Sequence, residues 1–517
     1  MLKKERLQYI GFVAIVAFVF LTICSRSSFI YIFNNWDDAN SYFTMGKVMM
    51  NGGVFYRDSF DQKGPLLYFI YGIAYLISHN TFKGVFVIEI LSFTAFLVAQ
   101  YKILRLYLKH ETAMFLLPFV AMVVTVSKSF YWGGSAEEFG LPFLAWGLYL
   151  SLKYFKEDYP KIMSAKVLFL GGLLAGCVML IKYTMLGMFF FWMAMIALST
   201  FNRKAWKGSI RNCVIFLAGM IVPLIPWLIY FGVQGALDDW YHAYIYCNVF
   251  LYSDFQEAVG IGKKIYDLAK IMYWLILDNF IYFSMIIVGF VGFLFYKKAK
   301  WYEKINVYGM FGFLFLGIFI GGTTLFYYSL PLSLFAVFGL MVLGMGVEWI
   351  AGRWKGQKVT EYAKSQKTAE EVKYQTVVKV VGQVVLYAGL LVATWNLSMN
   401  TEYAKETGED FYLYKFRDIV LQEEEPTLLN IGCLDAGLYT LTEIVPNCKY
   451  FQSNMVHGFD EVKEEQTRYI KEGRIQFVLA REEYPEEIWE NYDLVCEVEY
   501  SILEVPLKYY LFQRKDS

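Results

Sequence analysis

The chain has 517 residues, of which 57% are hydrophobic, 19% aromatic and only 18% charged. Ordinary soluble domains carry about a quarter charged residues, so this composition excludes a wholly soluble protein. The 47 basic and 47 acidic residues cancel; bulk charge names no partner and supplies none of the basic surplus that nucleic acid attracts.

Lys3, Lys4 and Arg6 precede an apolar run that ends near Ile23, in the manner of a signal peptide. A small-residue cleavage pattern is missing and more apolar runs follow, which predicts an uncleaved first membrane helix. Further runs fall near 64–79, 82–101, 112–130, 139–155, 166–181, 184–201, 212–232, 270–296, 306–326, 330–350 and 377–397. If all of them span, the clusters Lys102–Lys109, Lys153–Lys166, Arg203–Arg211 and Lys297–Lys304 lie opposite the basic N-terminus. That contradicts the tendency of Lys and Arg to stay on the cytoplasmic side. The run 64–79 is the shortest and opens Gly-Pro. Treated as re-entrant or interfacial, it moves every cluster, and the stretch Arg353–Lys373, to the cytoplasm.

The expectation is therefore a mainly α, polytopic helical membrane bundle of about eleven spans. The N-terminus is cytoplasmic, and loops 25–81, 131–138 and 233–269, the turn near 327 and the C-terminal residues are extracytoplasmic. The domain reading is a transmembrane module over 1–350, a charged cytoplasmic loop over 351–376, a last transmembrane helix over 377–397 and a small extracytoplasmic α/β domain over 398–517. In that domain Thr427–Ile431, Ile475–Leu479, Val495–Tyr500 and Tyr509–Phe512 read as strands. Asp460–Lys471 and Glu483–Trp489 read as helices. The seven cysteines show no metal-ligand spacing; free cysteines are the expectation, with pairing of Cys433 and Cys448 the alternative if their domain is exported.

The unusual residues collect in the outer loops. Asp37 and Asp38 follow the first span, where a carboxylate can take a proton from an attacking hydroxyl. Adjacent carboxylates also raise one another's proton affinity; solvated acids at a helix start are the competing reading. Arg57, Asp58, Asp61 and Lys63 stand before the run 64–79. Arg57 and Lys63 are candidates to grip a lipid phosphate and offset charge on a leaving group, against simple snorkelling. Lys182, at the turn between two runs, has the same two readings. Glu137 and Glu138, in Gly133-Gly134-Ser135-Ala136-Glu137-Glu138, are candidates with Asp61 to bind sugar or organise the loop, and equally suit a helix N-terminus. Glu89 and Asp278 fall within runs and are expected to face the bundle interior. His242, Trp240 and Tyr328 are weak candidates for an acceptor cleft.

The acidic pair, Tyr56-Arg57-Asp58…Asp61-Gln62-Lys63-Gly64-Pro65-Leu66-Leu67-Tyr68 and Glu137-Glu138-Phe139-Gly140-Leu141-Pro142-Phe143 resemble the GT-C membrane glycosyltransferases. Among these the chain is most similar to the family-39-like enzymes, the protein mannosyltransferase, ArnT and Rgt types, over roughly residues 8–345. The resemblance implies a GT-C fold with juxtamembrane helices in the first outer loop. It implies a cell-membrane enzyme that moves a sugar from a polyprenyl-phosphate or polyprenyl-diphosphate donor to a glycan, lipid or protein acceptor on the outer face. By the same resemblance a first-loop acid is the catalytic base, Asp37 or Asp38, and Lys63 sits near the donor phosphate. No cofactor is expected with a monophosphate donor; a diphosphate makes a divalent ion plausible. A lipid-linked sugar transporter, or an envelope assembly protein working through its C-terminal domain, are the alternatives. The sequence lacks the paired repeats that many transporters show.

Overall fold

A computed structural model describes residues 3–201, 206–251, 260–362, 369–409, 411–453, 459–502 and 505–515. The first helices are α1 (Lys3–Cys24), α2 (Asp37–Met50), α3 (Pro65–Ile77), α4 (Lys83–Arg105), α5 (His110–Thr125), α6 (Ala136–Lys153) and α7 (Ala165–Lys182). Helices dominate the rest of the chain to Leu397, as the apolar runs require. The protein is a multi-pass helical membrane bundle with a small sheet near its C-terminus.

Among the described residues, five helical stretches are long and apolar enough to cross a membrane, or six if one bent pair is counted together. Apolar runs outnumber these stretches because several fold into shorter helices or break. Helix α3 has 13 residues, which at 1.5 Å per residue is about 20 Å against a hydrocarbon core of about 30 Å. It is too short to span upright, and Gln8–Cys24 and His110–Thr125 are likewise among the shorter apolar helices. The stretch Ala165–Thr200 is interrupted at Lys182, whose backbone leaves helical geometry (φ −155°, ψ 103°).

The run expected to span over 270–296 is two helices, Ile261–Asp278 and Phe280–Phe295, bent by 111°. Asp278 corrects its expected place. It does not face the bundle interior but sits at the break, half-exposed, 2.8 Å from Lys128. Asn279 completes the corner by accepting a hydrogen bond from the Ser129 amide at 2.9 Å. The flanks of the expected loop 351–376 belong to helices Val337–Tyr362 and Ala369–Leu397; its centre, 363–368, lies outside the described residues.

The C-terminal region forms a four-stranded sheet of β1 (Leu428–Ile431), β2 (Phe477–Arg481), β3 (Tyr492–Ile502) and β4 (Val505–Arg514), in the order β1-β2-β4-β3. Strands β1 and β2 are parallel, joined by a crossover that contains helix Glu461–Lys471, and β4 is antiparallel to both neighbours. The helix expected over Glu483–Trp489 is only Ile488–Asn491. A left-handed backbone at Glu482 (φ 64°) and Pro485, which cannot donate within a helix, delay its start. The cysteines are free, Cys433 and Cys448 among them.

The sheet is not a separate lobe. Buried apolar residues from Val13 to Phe512 make one connected core through bundle and C-terminal region. The join is polar along one face of α2, at helical spacing. Ser41 donates to Gln452 at 2.6 Å, Thr44 to Asp435 at 2.6 Å and Lys47 to the Tyr439 carbonyl at 2.7 Å. All three α2 residues are fully buried; net contributions of about 1 kcal/mol per neutral bond, and more for a charged one, make this face a specific dock.

Candidate active site

Trp36 enters α2 with extended backbone, and Asp37 and Asp38 occupy the first turn, where the helix dipole favours negative charge. Asp38 is buried and accepts a hydrogen bond from the Tyr327 hydroxyl. Asp37 is part-exposed, its carboxylate 2.8 Å from the Arg481 guanidinium at the end of β2. Burial raises the Asp37 carboxyl above the ordinary range, with Arg481 opposing the shift and Asp38 adding to it.

The segment 61–64 is held on several sides. The Tyr56 hydroxyl donates to the Lys63 carbonyl at 2.6 Å, and the Lys63 amide donates to the Tyr68 hydroxyl at 2.8 Å. Tyr68 in turn donates to Asp61 at 2.8 Å; burial raises the Asp61 carboxyl, opposed chiefly by Lys63. Asn248 donates to the Gln62 carbonyl at 2.7 Å, and the Gly64 amide to the Ile181 carbonyl at 3.1 Å. Gly64 lies so close to α7 that a Cβ there would stand 2.0 Å from the Leu180 carbonyl oxygen. Gly64→Ala is therefore expected to lower the thermal unfolding midpoint, at a cost in the range of about 1–3 kcal/mol typical of overpacking. It should also displace Lys63. An unchanged melting curve would show that the two backbones separate freely.

Loop 131–138 closes the far wall. Tyr131 (φ 54°), Gly133 (φ 80°) and Gly134 (φ 79°) turn through left-handed geometry, and a Cβ at Gly133 would meet Ser25 Oγ at 2.5 Å. Ser135 caps α6, and Glu138 accepts from the Gly134 amide at 2.8 Å. Glu138 thus ties the loop to its own helix. Glu137 instead pairs with Lys182 at 2.5 Å. The Lys182 ammonium also lies 3.4 Å from the centre of the Tyr328 ring.

Two cavities meet here. The larger, of about 400 Å³, is lined by Trp36, Asp37, Asp38, Asp61, Lys63, Tyr131, Trp132, Tyr327, Tyr328, Gln452 and Arg481, among others. The smaller, of about 200 Å³, is mainly apolar and is lined by Gln62, Lys63, Ile181, Lys182, Ile318, Ile320 and Tyr328, among others. Lys63 and Tyr328 line both. Buried around them, Tyr42 Oη, Trp132 Nε1 and Glu137 Oε2 have no hydrogen-bond partner among the described residues, the kind of orphaned group a ligand satisfies.

The structure thus brings together Asp37, Asp38, Asp61, Lys63, Lys182 and Tyr328, with Glu137 behind Lys182 and Glu138 holding the loop. Besides Glu137 and Glu138, which stand behind the walls, Arg57, Trp240 and His242 lie outside both linings. Arg57 is exposed, bound to Asp58 at 2.7 Å and to the Gln234 carbonyl at 2.9 Å; its neighbour takes the charge intended for a phosphate. Trp240 stacks on Phe231 at 5.0 Å, and His242 on Tyr246 at 5.1 Å. Glu89 is buried and accepts from Ser25 at 2.9 Å. Sequence reasoning did not single out Trp36, Gln62, Tyr327, Gln452 and Arg481, which line the larger cavity. A polar stripe on α2 (Asp37, Ser41, Thr44, Lys47) was the available signal that something docks there.

Residues 62–230 match the family model described as dolichyl-phosphate-mannose-protein mannosyltransferase. That range includes Lys63, Glu137, Glu138 and Lys182 and stops short of Asp37 and Asp38. ArnT from Cupriavidus metallidurans bound to undecaprenyl phosphate is similar with a TM-score of 0.61 at 13% identity, covering 99% of this chain and 98% of that one. The chain shares its fold with ArnT. The apo form of the same ArnT matches this chain with a TM-score of 0.61 at 12% identity, covering 98% of each chain. A weaker likeness, TM-score 0.46 at 9% identity, links 92% of this chain to 69% of the oligosaccharyltransferase AglB from Archaeoglobus fulgidus. No curated protein sequence matches.

Proposed function

We propose that this protein is an inverting glycosyltransferase that moves a sugar from a polyprenyl-phosphate donor to an acceptor hydroxyl on the extracytoplasmic side of the cell membrane. The carrying observation is the place of Lys63, which lines both the cavity that holds Asp37, Asp38 and Asp61 and the smaller one beside Ile181, Ile318 and Ile320. The smaller cavity suits the start of a polyprenyl chain, the junction its phosphate, and the larger cavity the sugar and acceptor. Undecaprenyl phosphate bound in the ArnT structure of the same fold supports a lipid phosphate as the ligand.

Asp37 acts as base. It takes the proton of the acceptor hydroxyl as that oxygen attacks the anomeric carbon. The bond from the anomeric carbon to the phosphate oxygen breaks, and polyprenyl phosphate leaves with its charge met by Lys63 and Lys182. Asp37 is preferred to Asp38 because it is the more exposed of the two acids lining the cavity. With two cations at the junction, a monophosphate donor requires no divalent ion; a diphosphate would bring one in. Aromatic walls from Trp36, Tyr131 and Trp132 suit the apolar faces of a sugar ring.

The test is transfer of radiolabelled sugar from polyprenyl-phosphate donors in membranes holding expression-matched protein. Transfer that depends on the acidic pair and on Lys63 is the expected outcome. Movement of lipid-linked sugar across the bilayer with no transfer to any acceptor would replace this reading with a transporter.

A further inference from the structure

The C-terminal domain reaches into the cavity at the acid assigned as base. Arg481 ends β2, is pinned there by pairing with Tyr509 of β4, and its carbonyl accepts from the Glu483 amide at 2.8 Å. Its side chain is only 15% exposed, and the guanidinium lies 2.8 Å from Asp37. Gln452, Leu434, Ile502 and Leu507 add further C-terminal wall to the same cavity.

The contact is part of a longer seam. Asp37, Ser41, Thr44 and Lys47 lie on one face of α2, and each is bound by the C-terminal domain. The catalytic end of α2 and the docking face of α2 are therefore the same face. A domain held along its length by buried hydrogen bonds carries its arginine to the cavity as a fixed element, not as a mobile surface group.

We propose that the C-terminal domain is a working part of the active site, with Arg481 the positioning residue that orients the Asp37 carboxylate and favours its ionised form. This rests on the glycosyl-transfer reading. The groups that face Asp37 are Asp38 on its own helix, Cys433 and Asp435 after β1, Tyr509 on β4, Tyr412 on helix Tyr412–Val420, and Tyr131 in the opposite loop. Arg481 is the cation in this group, so its removal takes away the charge that favours an ionised Asp37.

Two measurements on the detergent-solubilised full chain test the assignment. In the first, Arg481→Gln should lower kcat by about 100-fold, as misplacement of a catalytic group can, with donor KM within about twofold. The acid limb of its pH–rate profile should move to higher pH, because a carboxylate without its cation holds its proton longer. Arg481→Lys should restore part of both. Loss of rate with an unmoved acid limb would assign Arg481 a merely structural role and overturn the proposal, as would a rate equal to wild type. In the second, thermal unfolding of Asp37→Asn, Arg481→Gln and the double variant should give non-additive midpoint shifts at neutral pH. That coupling should fade as acid protonates Asp37. Additive shifts at every pH would sink the pairing. If wild-type protein transfers no sugar, the glycosyltransferase reading fails, while the unfolding cycle still judges the contact.

Discussion

Replacing Asp37 by Asn should reduce sugar transfer by about 1,000-fold, within the range of about 10²–10⁴ that a positioned general base supplies. Asparagine keeps the shape of the side chain and can still accept a hydrogen bond from Arg481, so the site should assemble. What it loses is the capacity to take a proton at the moment of attack. Donor KM should therefore change little while kcat falls, the pattern of an interaction made only in the transition state. The wild-type profile should show an acid limb above the ordinary carboxylate range of about 4, since burial raises the Asp37 carboxyl. The sign follows from the role: as pH falls through that value the base becomes protonated and the rate drops. Asp38→Asn should retain measurable transfer, because Asp38 acts through its bond with Tyr327, and its acid limb should move to lower pH, because Asp38 no longer adds to the upward shift of Asp37. If Asp38→Asn abolishes transfer and Asp37→Asn does not, the two roles are exchanged.

Lys63→Ala should cost about 10²–10³-fold in kcat, the scale of losing one preorganised donor at a site of developing charge. Both cations face a buried acid: removing Lys63 takes from Asp61 its chief opposing charge, so a melting curve of the variant accompanies its rate. Removing Lys182 would leave Glu137, 1% exposed and paired to it at 2.5 Å, as an uncompensated buried charge. Such a loss destabilises by several kcal/mol on its own and would confound the rate. For Lys63 the readout is a fall in kcat accompanied by a rise in donor KM, since the phosphate carries charge in both ground and transition states. Lys63→Arg should recover part of the binding but less of the rate, because a planar fork does not place charge where an ammonium does. Full activity in Lys63→Ala would move the phosphate away from the cavity junction and remove the main support for the donor reading.

Legibility was uneven along the chain for a physical reason. Asp37, Asp38, Asp61, Lys63 and Lys182 were readable because charge beside an apolar run is costly and therefore conspicuous. The shortness of the helix within 64–79 was readable from the length of its apolar run. Arg57 misled because its charge was visible and its neighbour's claim on it was not. Trp240 and His242 misled because aromatic residues in an outer loop look alike whether they line a cleft or stack on one another. The run 270–296 looked continuous, since hydropathy registers composition and not the 111° bend at Asp278–Asn279.

Hydrophobic runs, their flanking lysines and the alternation of the last four strands by themselves determined a helical membrane bundle with a small sheet after it. These are local properties, set by solvation and by backbone periodicity, and they do not depend on which element meets which. Only the tertiary structure decided that Lys63 joins two cavities, that Glu137 belongs to Lys182, and that Arg481 meets Asp37 from a strand far along the chain. Such pairings arise when packing removes water from several distant segments at once. A buried charge then takes whichever opposite charge the fold delivers, and no spacing in the sequence records that choice.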